Sequence, residues 1–248
     1  MFQNYKWTWK RNGKIIFAPT QDTDRRGDQI IEFCDREVEF PVCFYHYRKG
    51  GHVVALHGHL QNRLFFKIDI QNFFYSISRN RIAAGLHHAG FPWARTFAKW
   101  SSVKNPYPIG SRYVLPIGFK QSPALASLVM MRSPLMTMVD RAERAGAFVS
   151  IYLDDLICSA NDGALLQELY DGFLQACEDA NLTPNPTKLV APTSEIVVFN
   201  CELRYGFAQV TTERIATYFE ESRTAASQRS FDVYCAKVSE ANTKEPAI

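Results

Sequence analysis

The sequence lacks a paired-cysteine motif, a long apolar run and an internal repeat, and each absence removes a class of protein. Six cysteines, Cys34, Cys43, Cys158, Cys177, Cys201 and Cys235, are scattered over 248 residues with no Cys-x-x-Cys spacing. Several sit in apolar runs where a thiol behaves as a small hydrophobe, so free thiols in a reducing cytoplasm are expected. No segment approaches the ~18 uninterrupted apolar residues of a membrane span, and the opening MFQNYKWTWKRNGK has no signal-peptide core. The expectation is a soluble cytoplasmic chain with no membrane partner. What is present, 46% hydrophobic and 13% aromatic residues, suffices for one large packed domain or two small ones.

Acid is scarce in one half of the chain. Residues 1–128 carry 18 Lys and Arg against 8 Asp and Glu, whereas residues 129–248 carry 10 against 17. Between Leu64 and Leu128 the only acid is Asp69. A positive half of this kind suits a polyanion, nucleic acid or nucleotide, although a solvated basic surface has the same composition.

Patterning alternates strands and helices. A short strand is expected at Ile15 to Phe17 after the RNGK turn, then a helix from Arg25 to Val38 burying Ile30, Ile31 and Cys34. LFFKIDI (64–70) reads as a strand. Ser78 is placed to cap a helix ending at Gly90, and Ser122 with Pro123 to start one running to about Arg144. AFVSIYL and LICSA form two strands around Asp154 and Asp155, followed by an amphipathic helix ended by Pro184. EIVVFNCELRYGFAQV reads as a hairpin turning near Arg204 to Gly206, and the tail as one or two amphipathic helices. The sum is an α+β layer, a ferredoxin-like antiparallel sheet with helices on one face.

Adjacent carboxylates inside an apolar hairpin pose a physical question, because successive strand side chains point to opposite faces and burying either charge is unfavourable. A turn at the tip lets both face one solvent-filled space; Asp-Asp is also ordinary turn chemistry. Asp69 ends its own apolar strand, where a cap or an ion pair with Lys67 would explain it alone. Three carboxylates at strand ends can hold hard divalent cations, and two such ions would serve phosphoryl transfer. LPIGFKQSPALASLVMM (115–131) adds Gly118, which permits close approach to a base or sugar, before a helix N-terminus. His57 with His59, and His87 with His88, have no Cys or carboxylate at zinc-ligand spacing. FCDREVEFPVCFYHYRKGG mixes Arg48 and Lys49 with aromatics that can stack on single strands, while core packing accounts equally for Phe44 and Tyr45.

In this order, FFKIDIQNFFYSI, LPIGFKQSPALASL and IYLDDL resemble motifs A, B and C of reverse transcriptases. LTPNPTKL is similar to motif D, FNCELRYG is placed like the primer-grip hairpin, and KRNGKIIFAP with RRGDQIIEFC looks like the basic fingers motif. The resemblance spans about residues 10–206 and implies a right-hand polymerase palm with short fingers and a reduced thumb. It divides the chain into fingers (1–63), a palm carrying motifs A to D (64–200, with a fingers insertion at about 79–114), and a primer-grip hairpin with a short helical thumb or oligomer contact (201–248). It implies that catalytic Asp69, Asp154 and Asp155, with the Ile70 carbonyl, bind two Mg²⁺, for which Mn²⁺ can substitute.

For nucleotide binding it implies Lys14 and Arg11 on the triphosphate, Phe74 under the sugar, Ile117 and Gly118 beside it, and Lys188 near the leaving pyrophosphate. A ring at Phe74 excludes a 2′-hydroxyl and favours deoxynucleotides, whereas Phe73 reads as core. Lys10, Arg48, Lys49, Ser122, Tyr152 and Arg204 fall to template or primer. Lys14 lacks the bidentate fork of the Arg usual there. Ile117 replaces the usual Gln, as in diversity-generating reverse transcriptases, and low fidelity is expected. The size and DIQNFF wording look closest to retron, diversity-generating or phage-defence enzymes of bacteria. The implied partners are an RNA template, including a cognate non-coding RNA, deoxynucleotides, the DNA product, and a homo- or hetero-oligomer. The rivals are an untemplated or unusually templated polymerase, RNA synthesis, and a polymerase-like RNA-binding scaffold.

Overall fold

The structure, a computed structural model, describes residues 2–243. In chain order the elements begin with β1 (Tyr5–Arg11), β2 (Lys14–Pro19), α1 (Gln21–Glu37), a 3-10 turn (Tyr45–Tyr47), α2 (Gly51–His59) and β3 (Leu64–Asp69). Next come α3 (Phe73–Ser76), α4 (Arg79–His88), α5 (Ala94–Trp100), β4 (Val103–Lys104), β5 (Tyr113–Val114), α6 (Ser122–Met130) and α7 (Pro134–Arg144). The remainder is β6 (Phe148–Tyr152), β7 (Asp155–Ala160), α8 (Gly163–Asp179), β8 (Val190–Thr193), β9 (Glu195–Val198), β10 (Cys201–Arg204), β11 (Phe207–Val210), α9 (Thr212–Phe219) and α10 (Ala225–Ser239).

The chain forms two compact units. One takes the described residues through Pro41, then Ile70–Thr137 and Ala176–Thr183; the other takes Val42–Asp69, Met138–Gln175 and the described residues from Pro184 onward. The last five residues of the expected thumb, 244–248, and Met1 of the expected fingers lie outside the described residues.

The first unit is helical around small sheets. β1 and β2 pair across the turn Asn12-Gly13, whose positive φ values (48° and 73°) suit these two residue types. α1 begins at Gln21 rather than at the expected Arg25, and Thr20 caps it by accepting from the Thr23 N–H. Ile30 and Cys34 are buried as expected, but Ile31 is only half-buried; Gly27 and Thr23 take the inner face instead. Ser78 caps α4 by accepting from the Arg81 N–H. The long helix expected from Ser122 is two helices, since the chain turns at Met131 to Ser133 and Pro134 opens α7. Gln121, not Ser122, holds the N-cap position.

The second unit carries the catalytic candidates on a four-stranded sheet ordered β6-β7-β3-β8, antiparallel at every step. With helices after β3 and after β7, that order is the ferredoxin-like one. Phe66 meets Tyr170 and Phe173 of α8 edge to face. Phe65 points the other way, into a core with Leu56 of α2, Leu60 just beyond it, Ile157, and Leu203 and Val210 of the β9-β10-β11 meander. The sheet is therefore covered on both faces, not by helices on one, and this is why the LFF run blurs the alternation expected of a half-exposed strand. The expected hairpin at 195–210 is a three-stranded meander, because Phe199 and Asn200 (φ 55° and 58°) make an extra tight turn. α8 ends at Asp179, ahead of Pro184, where Asn181 takes the left-handed conformation. No helix among the described residues is long and apolar enough to cross a membrane.

Candidate active site

Three acids meet at one end of the second unit's sheet. Asp69 closes β3 directly opposite Asp155, the first residue of β7, and Asp155 in turn faces Tyr152 of β6. The β6–β7 hairpin therefore turns on Leu153 and Asp154 alone, with Leu153 at φ 56°. Both acids were expected at the tip; only Asp154 is there, while Asp155 is committed to the strand.

The partners of each acid differ. Asp69, only 3% exposed, receives the Asn185 carboxamide on Oδ1 at 3.0 Å and the Lys188 ammonium on Oδ2 at 2.9 Å. Its backbone carbonyl also accepts from the Asn185 N–H at 2.7 Å. Lys67, considered above as a partner of Asp69, instead lies 3.3 Å from Asp155 Oδ1. That ion pair lacks hydrogen-bond alignment, so Oδ1 is buried with no hydrogen-bonding protein group. Burial pushes the Asp155 carboxyl above the usual range; Lys67 opposes this and the neighbouring Asp69 charge adds to it. Lys188 is held protonated chiefly by its hydrogen bond to Asp69; burial opposes this, and the charges of Asp69, Asp155 and Asp154 each add a smaller effect in the same direction as the bond. All three carboxylates therefore act on one ammonium group.

The fit to a divalent cation is chemical rather than geometric. Among the described residues no three Asp, Glu, His or Cys side chains are drawn around a common point; Lys188 and Lys67 supply the countercharge. The donor set is nonetheless all hard oxygen, and one buried carboxylate oxygen lacks a hydrogen bond.

Asn185 was not singled out in the sequence, yet it fixes Asp69 from both backbone and side chain. Its position in LTPNPTKL beside Lys188 is the signal that could have found it. Tyr152 sits among His46, His52 and Phe199 with edge-on or tilted rings. Arg48, exposed, covers the Tyr45 ring at 4.8 Å; Tyr45 and Phe44 are core. Lys49 is exposed, and Arg204 lies 4.3 Å from the Phe207 ring. His59 lies between the hydroxyls of Ser159 (2.7 Å) and Ser150 (2.8 Å), and burial lowers its pKa to about 3. His57 meets the Val238 carbonyl.

The other expected residues belong to the first unit. Lys10, Arg11 and Lys14 are exposed around the β1–β2 turn. Phe74 is half-buried and Phe73 fully buried. The Phe17 N–H donates to the Ile117 carbonyl at 2.9 Å, and the Tyr75 hydroxyl donates to the Ile15 carbonyl, so β2 is tied to this region at two points. Ile117 packs beside Phe17, Val114 and Phe119.

Gly118 and Ser122 are both engaged by the chain itself. Gly118 (φ 108°) has its close approach to the chain itself: a Cβ would lie 2.3 Å from the Phe17 carbonyl oxygen. Ser122 is buried and its hydroxyl donates to the Pro116 carbonyl at 2.7 Å, so it braces the loop and does not cap α6.

The family profile described as "Reverse transcriptase (RNA-dependent DNA polymerase)" matches residues 28–225. No curated protein matches the chain at a significant level. Among solved structures, the foamy viral protease-reverse transcriptase dRH in complex with double-stranded DNA is 15% identical, with a TM-score of 0.50 over 90% of this chain and 33% of that one. The foamy viral protease-reverse transcriptase in complex with an RNA/DNA hybrid is 17% identical, with a TM-score of 0.44 over 71% of this chain and 22% of that one. This chain thus spans about a third of the length of the first of these proteins.

Proposed function

This chain belongs to the reverse transcriptase (RNA-dependent DNA polymerase) family, and we propose that it adds deoxynucleotides to a 3′ hydroxyl on an RNA template. The observation that carries the reading is the pairing of Asp69 with Asp155 at the end of one sheet, with Asp154 in the adjoining turn and the Lys188 ammonium bonded to Asp69. Asp69, Asp154, Asp155 and the Ile70 carbonyl would hold two Mg²⁺ ions, or Mn²⁺, which activate a hydroxyl and neutralise a leaving oxygen. The protein's own part is positional. Asn185 and Lys188 fix both oxygens of Asp69, and the Lys188 ammonium, protonated beside three acids, is poised to stabilise or protonate the leaving pyrophosphate.

The domain reading follows: fingers at 1–63, palm at 64–200 and primer grip with thumb at 201–248. The exposed cations Lys10, Arg11 and Lys14 support a triphosphate and template role, and Arg48, Lys49, Tyr152 and Arg204 a template-primer role. The half-buried Phe74 ring supports exclusion of a 2′-hydroxyl. Ile117 offers the nucleotide no side-chain donor, which supports loose discrimination. Six free thiols support a reducing, cytoplasmic setting. A cognate non-coding RNA and a retron-like or phage-defence role rest on the motif wording alone.

Primer extension on an RNA template with Mg²⁺ and deoxynucleotides tests the proposal. Incorporation by the wild type and its loss in Asp154→Ala, with the fold retained, is expected. Equal signals in both proteins, including none in either, would favour the scaffold reading. Incorporation without template would favour untemplated synthesis.

A further inference from the structure

A cleft of about 740 Å³ opens within the first unit, of the size that holds small ligands. Its walls come from the turn after Ile70 (Gln71, Asn72), from Tyr75 and Ser76, from Ser78 and Arg81 at the start of α4, from the 105–111 loop, and from Asn181 and Thr183. Not one Asp or Glu lines it. Arg81 is its only charged group. The Arg81 guanidinium makes no ion pair or hydrogen bond among the described residues, while its neighbours are satisfied: Arg79 donates to Ser102 and lies over the Tyr113 ring. Arg81 is half-buried, and its removal from water lowers its pKa with no opposing charge nearby.

A partly desolvated, unneutralised guanidinium is unfavourable unless something else supplies the anion. The same wall holds the Tyr75 and Tyr107 rings, edge to face at 5.3 Å, beside several amide and hydroxyl groups. The loop is itself built: Asn105 donates to the Ile109 and Ser111 carbonyls and accepts from the Tyr107 N–H, so the cleft wall is held without a ligand.

We propose that this cleft is a binding site for a nucleoside phosphate, with Arg81 taking the phosphate and the Tyr107 side of the wall the nucleoside. The site stands on its own residues and does not depend on the catalytic reading; no carboxylate that would hold a metal lines it, so binding needs no divalent ion.

Isothermal titration of the full chain in EDTA, with ATP, dATP, pyrophosphate and adenosine as separate probes, tests this. ATP or dATP is expected to bind wild type and Asp154→Ala alike, and more tightly than pyrophosphate or adenosine. Arg81→Gln should weaken binding by about tenfold or more, the scale of one charge-assisted contact. Ile109, 85% exposed at the rim, gives a pair that leaves the fold alone: Ile109→Asp should weaken binding and Ile109→Lys strengthen it.

Four results would overturn the proposal. They are absence of nucleotide binding in EDTA, its loss in Asp154→Ala, affinities unchanged by both Arg81→Gln and the Ile109 pair, and pyrophosphate binding as tightly as ATP. Because the titration reads no incorporation, a failed polymerase assay leaves it untouched, and the reverse holds too.

Discussion

Two hairpins of equal turn length carry opposite charge, and they are built on opposite terms. In the β1–β2 hairpin the turn is Asn12-Gly13, the cations Lys10, Arg11 and Lys14 stand in water, and every choice is locally favourable. In the β6–β7 hairpin the turn is Leu153-Asp154, a leucine occupies a left-handed conformation, and Asp155 is largely buried with one oxygen lacking a hydrogen bond. Left-handed backbone at a bulky residue is unfavourable by roughly 1–2 kcal/mol and persists only where the surroundings impose it. The basic tip is thus specified by its own sequence, whereas the acidic tip is specified by the sheet around it. Such a division is expected where one hairpin only has to present charge and the other has to hold it still.

Substitutions at the two tips should break that symmetry most sharply in catalysis. Asp69→Asn keeps the shape that Asn185 grips but removes the charge, and incorporation in a primer-extension assay should fall by about 10³ or more. Lys14→Ala, which removes a solvated cation with two neighbours to compensate, should reduce incorporation by about tenfold and mainly through the nucleotide KM. Equal losses would erase the distinction.

The next contrast lies in stability. Lys67→Met leaves Asp155 buried beside Asp69 without its ammonium, and should lower the urea-unfolding free energy by about 2 kcal/mol. Arg11→Met at the basic tip should change it by less than about 0.5 kcal/mol.

Acid titration sharpens the same point with the half-buried Asp155 and the buried His59. The Asp155 carboxyl has a raised folded pKa, so the native state binds its proton more tightly than the unfolded chain does. Stability should therefore fall as pH rises from the ordinary aspartate value of 3.8 to the raised one, and Asp155→Asn should remove that slope. His59 runs the other way. Its folded pKa of about 3 lies below the ordinary 6.5, so the native state binds fewer protons between them and stability falls as pH drops through that window. His59→Gln should flatten the curve between pH 6.5 and 4 in urea melts.

The smallest effects concern the turns themselves. Asn12→Leu should destabilise by about 1 kcal/mol, because it puts a bulky residue where φ is positive. Leu153→Asn should shift stability by less than that in either direction, the relieved backbone being offset by the loss of a half-buried side chain.

The same contrast explains what could be read from sequence. Asn-Gly turns, the Ser78 cap and the apolar strands are local statements, and they placed β2, α4, β3, β6 and β7 close to where they lie. The motif resemblance put Asp69, Asp154 and Asp155 in one expected site, and strand pairing sets Asp69 opposite Asp155. The exchange of partners at that site was not legible, because Lys67 sits two residues from Asp69 in sequence but meets Asp155 only through strand pairing. Asn185 was missed for a similar reason: a lone Asn in a proline-rich loop carries no chemistry until the loop is laid against β3. Gly118 shows the converse. A glycine that the sequence assigns to a ligand is required by the Phe17 carbonyl of the neighbouring strand.

The C-terminal helices have a consequence for any attempt to trim the chain. Tyr218, Phe231 and Val238 share one apolar cluster with Leu56, Phe65 and Ile157, and the Tyr234 hydroxyl meets His52 on α2. A fragment cut after Thr211 would not merely lack a detachable tail; it would present the underside of its own four-stranded sheet to water and should be recovered as aggregate.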